Sequence, residues 1–131
     1  MSETITRLPD DLVARIHKAL DGFKLPSLPV DLVGKDARAP MIKIGTIVSG
    51  DQFINDEGAR ARLQSVFGAH AVEMEGAAVA QVAEAFGVPA IVIRSLSDLA
   101  GSDSHLDFGK FVTAVAPTAA KVVERLVPVL D

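Results

Sequence analysis

Three carboxylates define the chemistry this sequence can support. Glu73 and Glu75 flank Met74, and Asp98 follows Arg94-Ser95-Leu96-Ser97 after the apolar run Ala90–Ile93. Glu73-Met74-Glu75 closes a stretch of strand character, Ala69–Met74. Residues two apart in an extended chain share a face, so both carboxylates point the same way if the strand persists through Glu75. Carboxylates at a strand end can accept hydrogen bonds from vicinal hydroxyls of a sugar. The structural alternative is that one Glu opens the next helix and complements its dipole. A carboxyl group at the end of a buried strand, such as Asp98, can be partly desolvated and donate a proton near neutrality. Its alternative is a turn or capping aspartate. Arg94 is one of few cations nearby and reads as the structural partner of a buried carboxylate. Phe53 and Ile54 could sandwich a planar ring whose edge is read by backbone groups, or staple the helix that follows.

Other chemistries lack their signatures. There is no HExxH, P-loop, GxGxxG or G-x-S-x-G, so no metal and no dinucleotide cofactor is expected. The chain has no cysteine, which excludes disulfides, thiolate metal sites and thiol nucleophiles and is compatible with a cytoplasmic protein. His17 falls off the apolar stripe of its helix and reads as solvated, His70 as a strand-entry residue, and His105 as a loop residue near the carboxylates.

These groups need elements to position them. Pro9–Asp21 reads as a helix, with Leu12, Val13, Ile16, Ala19 and Leu20 on one stripe and Gly22 as its stop. The proline-bearing connector Phe23–Pro40 holds one short strand near Leu28–Val33. Met41–Ser49 is β-rich. After the loop Gly50–Asn55, Asn55 or Asp56 can cap a helix Glu57–Phe67, with Ala59, Leu63, Val66 and Phe67 on its stripe and Gly68 at its end. Glu75 or Gly76 opens a helix to Phe86, with Val79, Val82, Ala83 and Phe86 expected inward and Gly87 and Pro89 stopping it. Ala90–Ile93 is apolar on both faces and is expected to be a buried parallel strand. Leu99–His105 is a polar loop, and Ser104 or Asp107 can cap the last helix, Phe108–Leu130, in which Pro117 is expected to form a kink.

Strands alternating with helices, with gaps long enough for crossovers, indicate a parallel, helix-flanked sheet. Ligands of such sheets bind beyond the carboxyl ends of the strands. The expected division is 1–40, an N-terminal helix and connector, and 41–131, the α/β part of a single domain. With 131 residues and 49% hydrophobic content, and a mean hydropathy of +0.32, the chain allows a true core and is expected to bury surface against a partner. A net charge of −4 without a basic stripe excludes nucleic acid as a natural partner. The N-terminus lacks the apolar core of a signal peptide, and no apolar segment is long enough to span a membrane.

Four segments occur in fitting order: Gly45–Ile54, Val72–Ala78, Arg94–Asp98 and Ser104–Phe108. Together they resemble the C-terminal half of the 5′-methylthioadenosine/S-adenosylhomocysteine nucleosidases, within the nucleoside phosphorylase/nucleosidase superfamily, from about Ile44 to the end of the chain. The resemblance implies an α/β fold, here a partial three-layer sandwich with a mostly parallel sheet. It implies a hydrolase that cleaves the N-glycosidic bond of an adenine nucleoside and releases adenine. Asp98 would protonate N7 of the purine, with Ser97 holding its carboxyl group. Glu75 and the Met74 backbone would bind the ribose hydroxyls, and Glu73 would support that side of the pocket. Phe53 would stack on the base, the Ile54 backbone would read its edge, and Phe108 would line the 5′-alkylthio pocket. In the family, the first strands, a Gly-rich loop and a water-activating glutamate precede this region, and Met1–Asp10 has no counterpart of them. The expected partners are therefore further copies of the chain, as a homo-oligomer, or a chain carrying the complementary N-terminal half. Phosphorolysis of a purine nucleoside, and a non-catalytic nucleoside-binding or assembly domain, are the alternative readings.

Overall fold

The computed structural model describes residues 5–33, 40–52, 54–96 and 108–131, without the side chains of Val33 and Phe108. The first helix, α1 (Asp10–Leu20), carries Asp10 and Asp11 in its first turn and His17 and Lys18 in its last, the order a helix dipole favours. Leu12 and Ile16, one turn apart, are buried. They meet the last helix, α5 (Phe108–Leu126), whose Val122 and Leu126 repeat the same spacing. This pair of helices forms the core, with Leu8, Phe23, Ile42, Ile91 and Ile93 packed around it. The ends are tied by side chains. Arg125 Nε donates to the Ala19 carbonyl at 2.8 Å, and Arg15 donates to the carbonyls of Val129 and Asp131. The helix α5 is continuous through Pro117 and is followed by a 3-10 turn at Val127–Val129.

Between the two core helices the chain runs through the one-turn helix α2 (Val30–Val33) and into the strand β1 (Thr46–Ser49), the helix α3 (Glu57–Phe67), the strand β2 (Ala69–Glu73) and the helix α4 (Gly76–Ala85). Asp56 caps α3 by accepting from the Ala59 N–H at 2.7 Å. Gly68 ends it at φ 64° and Gly87 follows α4 at φ 70°, both in the left-handed region that glycine enters without a Cβ penalty. The two strands are parallel, with Ile47 opposite Ala71, Val48 opposite Val72 and Ser49 opposite Glu73, after an irregularity between Thr46 and Ile47. His70 helps set this register by accepting the Thr46 N–H on Nδ1 at 3.2 Å. Among the described residues, no helix is long and apolar enough to cross a membrane.

Three expectations are corrected. Leu28–Val33 holds a helical turn rather than a strand. Its Val30-Asp31-Leu32-Val33 follows Pro29, whose carbonyl accepts the Leu32 N–H at 3.0 Å and so closes a turn. Ala90–Ile93 lies outside the two-stranded sheet. Its Ile91 and Ile93 pack on the helical core instead, so the apolar run is satisfied by side-chain burial rather than by a ladder. Val79, Val82 and Phe86 face outward, at 56%, 60% and 80% exposure. The small-residue side of α4, with buried Gly76 and half-buried Ala80 and Ala83, is the sheltered one.

Candidate functional site

The C-terminal ends of the two strands bring Ser49 and Glu73 side by side. Helix α4 starts at once after β2, so its first N–H groups point back at the same spot. Four donor groups converge on the Glu73 carboxylate. The Gly76 N–H lies 2.9 Å from Oε1 and 2.8 Å from Oε2, and the Glu75 N–H lies 3.1 Å from Oε2. The Ser49 hydroxyl donates to Oε1 and Arg94 to Oε2. The Glu73 side chain is 8% exposed. Burial acts to raise its pKa, but the Ser49 hydroxyl, the Gly76 N–H, Arg94 and the Glu75 N–H outweigh it and hold the carboxyl below the ordinary glutamate value. Glu73 is thus an anion with its oxygens engaged, which fits it to hold structure and not to accept a proton.

Glu75 stands differently. Its side chain is 70% exposed, and Arg94 reaches its Oε2 at 2.8 Å. Among the described residues its other carboxylate oxygen has no partner. Arg94 therefore bridges a buried and an exposed carboxylate. Its own pKa is raised, chiefly by the hydrogen bond to Glu73, against the effect of burial and with a further contribution from Glu75. Strand geometry through residue 75 is not what unites the two acids, because β2 ends at Glu73. They converge on one guanidinium instead, which suits a planar group with several fixed donors. The arrangement can present one carboxylate to solvent at a set position, beyond the carboxyl ends of parallel strands where α/β sheets take ligands.

Met74 is 46% exposed beside this cluster in sequence, and Ile54 is half-buried. Phe53, Ser97, Asp98 and His105 lie outside the described residues, as does the Phe108 side chain. The structure thus assembles Glu73, Glu75 and Arg94. It adds Ser49, which sequence reasoning overlooked. The signal that could have found Ser49 is register, since the last residue of each of two parallel strands reaches the same edge.

Comparison with known proteins gives the class. The sequence matches the family model described as "Phosphorylase superfamily" over residues 5–128, and the chain belongs to that superfamily. Its mixed α/β architecture with a parallel strand pair is consistent with the phosphorylase/nucleosidase fold. Over 119 residues it is 49% identical to the 5′-methylthioadenosine/S-adenosylhomocysteine nucleosidase of Mycobacterium tuberculosis, covering 91% of this chain and 46% of the relative. It is 45% identical over 87 residues to the aminodeoxyfutalosine nucleosidase of Helicobacter pylori, covering 66% of this chain and 38% of the relative. The 5′-methylthioadenosine/S-adenosylhomocysteine nucleosidase of Bacillus subtilis is 45% identical over 87 residues, covering 63% of this chain and 36% of the relative. The chain spans less than half the length of these curated relatives. No solved structure matches it.

Proposed function

We propose that this chain carries the base- and ribose-binding part of a purine nucleosidase that hydrolyses the N-glycosidic bond of 5′-methylthioadenosine or S-adenosylhomocysteine and releases adenine. The observation that carries the reading is the 49% identity to the M. tuberculosis nucleosidase over 91% of the chain. The exposed, Arg94-braced carboxylate of Glu75 supports it, being suited to accept hydrogen bonds from two vicinal hydroxyls.

In this reading Glu75 and the Met74 backbone hold the ribose 2′- and 3′-hydroxyls, and Glu73 anchors that side of the pocket. Phe53 stacks on the adenine, the Ile54 backbone reads its edge, and Phe108 lines the 5′-alkylthio pocket. Asp98, held by Ser97, gives its proton to N7 as the C1′–N9 bond breaks. The bond's electron pair passes into the purine ring, and positive charge develops on the ribose. Water then bonds to C1′, and its excess proton passes to solvent. Protonating the leaving group and placing anions near the sugar both favour that transition state over the ground state. The chain works in the cytoplasm, within an assembly that covers the outward residues of α4.

Adenine release is followed by chromatography with 5′-methylthioadenosine, S-adenosylhomocysteine and aminodeoxyfutalosine as separate substrates, with and without phosphate. Phosphate-independent release from the first two is expected. Release that requires phosphate, or no binding of any of the three, overturns the reading. A clear preference for aminodeoxyfutalosine would move the substrate to that of the H. pylori relative.

A further inference from the structure

Glu75 occupies the N-cap position of α4, yet its side chain makes no capping hydrogen bond. A helix begins with several N–H groups that lack intrahelical partners, and a carboxylate at the N-cap is drawn to them by hydrogen bonding and by the dipole. Here three of the N–H groups at the helix start, those of Glu75, Gly76 and Ala77, are already taken by the strands. Glu73, the last residue of β2, accepts the N–H groups of Glu75 and Gly76. Ser49, the last residue of β1, accepts the Ala77 N–H on its hydroxyl oxygen at 2.9 Å. The single hydroxyl proton of Ser49 goes to Glu73 Oε1. With these three N–H groups engaged by Glu73 and Ser49, the Glu75 carboxylate turns to Arg94 and to solvent.

We propose that Ser49 is a positioning residue for the sugar-binding carboxylate: by capping α4 from the neighbouring strand and fixing Glu73, it keeps Glu75 out of the helix cap and available to a diol. This rests on the ribose-binding role proposed for Glu75. Without the hydroxyl, the Ala77 N–H loses its acceptor and Glu73 loses a donor. The nearest replacement acceptor in sequence is the Glu75 carboxylate, which would turn inward.

The full chain is titrated calorimetrically with 5′-methylthioadenosine and, separately, with adenine, as wild type, Ser49→Ala and Ser49→Thr. Expected is a weakening of nucleoside affinity by about tenfold in Ser49→Ala, the scale of one charge-assisted hydrogen bond. Adenine affinity stays unchanged, and Ser49→Thr restores nucleoside affinity to within about twofold. Adenine serves as the control, because a merely structural defect weakens both ligands together. Equal weakening of both ligands, or an unchanged nucleoside affinity with a lowered melting temperature, overturns the proposal and leaves the proposed function standing. Wild type that binds neither ligand overturns both. If Ser49→Ala fails to fold, Ser49→Cys, with a weak thiol donor in nearly the same volume, is read by the same two titrations against the same outcomes.

Discussion

Ser49 and Glu73 are register partners on adjacent parallel strands, and the hydroxyl of the first donates to the carboxylate of the second. That single contact joins β1, β2 and the start of α4, because Gly76 and Ala77 donate to the same two side chains.

Gly76 is expected to resist even the smallest side chain. A Cβ there would lie 2.8 Å from Glu73 Oε1 and 3.2 Å from Ser49 Oγ. Overpacking costs about 1–3 kcal/mol, against roughly 1 kcal/mol gained from alanine's helix preference over glycine. Gly76→Ala should therefore lose about 1 kcal/mol in denaturant unfolding, and equal or higher stability would show that the carboxylate yields freely.

Removing the bridging cation should act on both acids. Arg94→Met takes one donor from buried Glu73 and the only described partner from the Glu75 side chain. Charge-assisted hydrogen bonds contribute about 1.5–3 kcal/mol, but Arg94 is 37% exposed and water replaces part of its effect. A loss of about 1 kcal/mol is expected on the urea midpoint, together with an upward move of the Glu73 titration followed by carboxyl carbon NMR.

The pH response of Glu73 has a definite sign. Its folded pKa lies below the ordinary 4.5, so the unfolded chain takes up the proton at a higher pH than the folded one. The stability this confers is full above about pH 4.5 and is lost as pH falls through the folded value. Below pH 4.5, wild type should lose stability more steeply than Glu73→Gln. Parallel acid branches in the two unfolding curves would contradict the cradle described for this carboxylate.

The two apolar surfaces should respond oppositely to substitution. Leu126 is 4% exposed and lies between α1 and α5, so Leu126→Ala should cost about 2–5 kcal/mol. Phe86 is 80% exposed, and Phe86→Ser should leave unfolding within about 0.5 kcal/mol of wild type while reducing self-association in sedimentation. A large destabilisation by Phe86→Ser would mean that α4 packs its larger residues inward.

Much of this was legible from residue types. Asp56 before Glu57, and Gly68 and Gly87 after their helices, mark boundaries because caps are local chemistry. The parallel β1–α3–β2 unit follows from spacing alone. What failed needed tertiary information. Helix α4 is apolar nearly all round, with Ala77, Ala78, Val79, Ala80, Val82, Ala83 and Ala85, so periodicity could not choose between its alanine face and its valine face. Ala90–Ile93 has strand composition, but a strand is defined by its neighbour, and its isoleucines pack on the helical core instead. Glu73 and Glu75 were recognisable as a pair, and Arg94 as a partner for an acid. The roles of Phe53, Ser97, Asp98 and Phe108 rest on resemblance, because the structure does not describe those side chains.

Among the described residues, the buried apolar side chains, Leu12, Ile16, Phe111, Val122 and Leu126, all belong to α1 or α5. The strands that hold Glu73 therefore stand apart from the best-packed part of the molecule and are secured by polar ties. Amide exchange should be faster at Val48 and Val72 than at Ile16 and Val122. The cradle should loosen with added salt, which screens ionic contacts that are partly open to water, while the paired helices hold. Ionic strength and acidity, more than oil-like packing, are the dials that tune this carboxylate's grip.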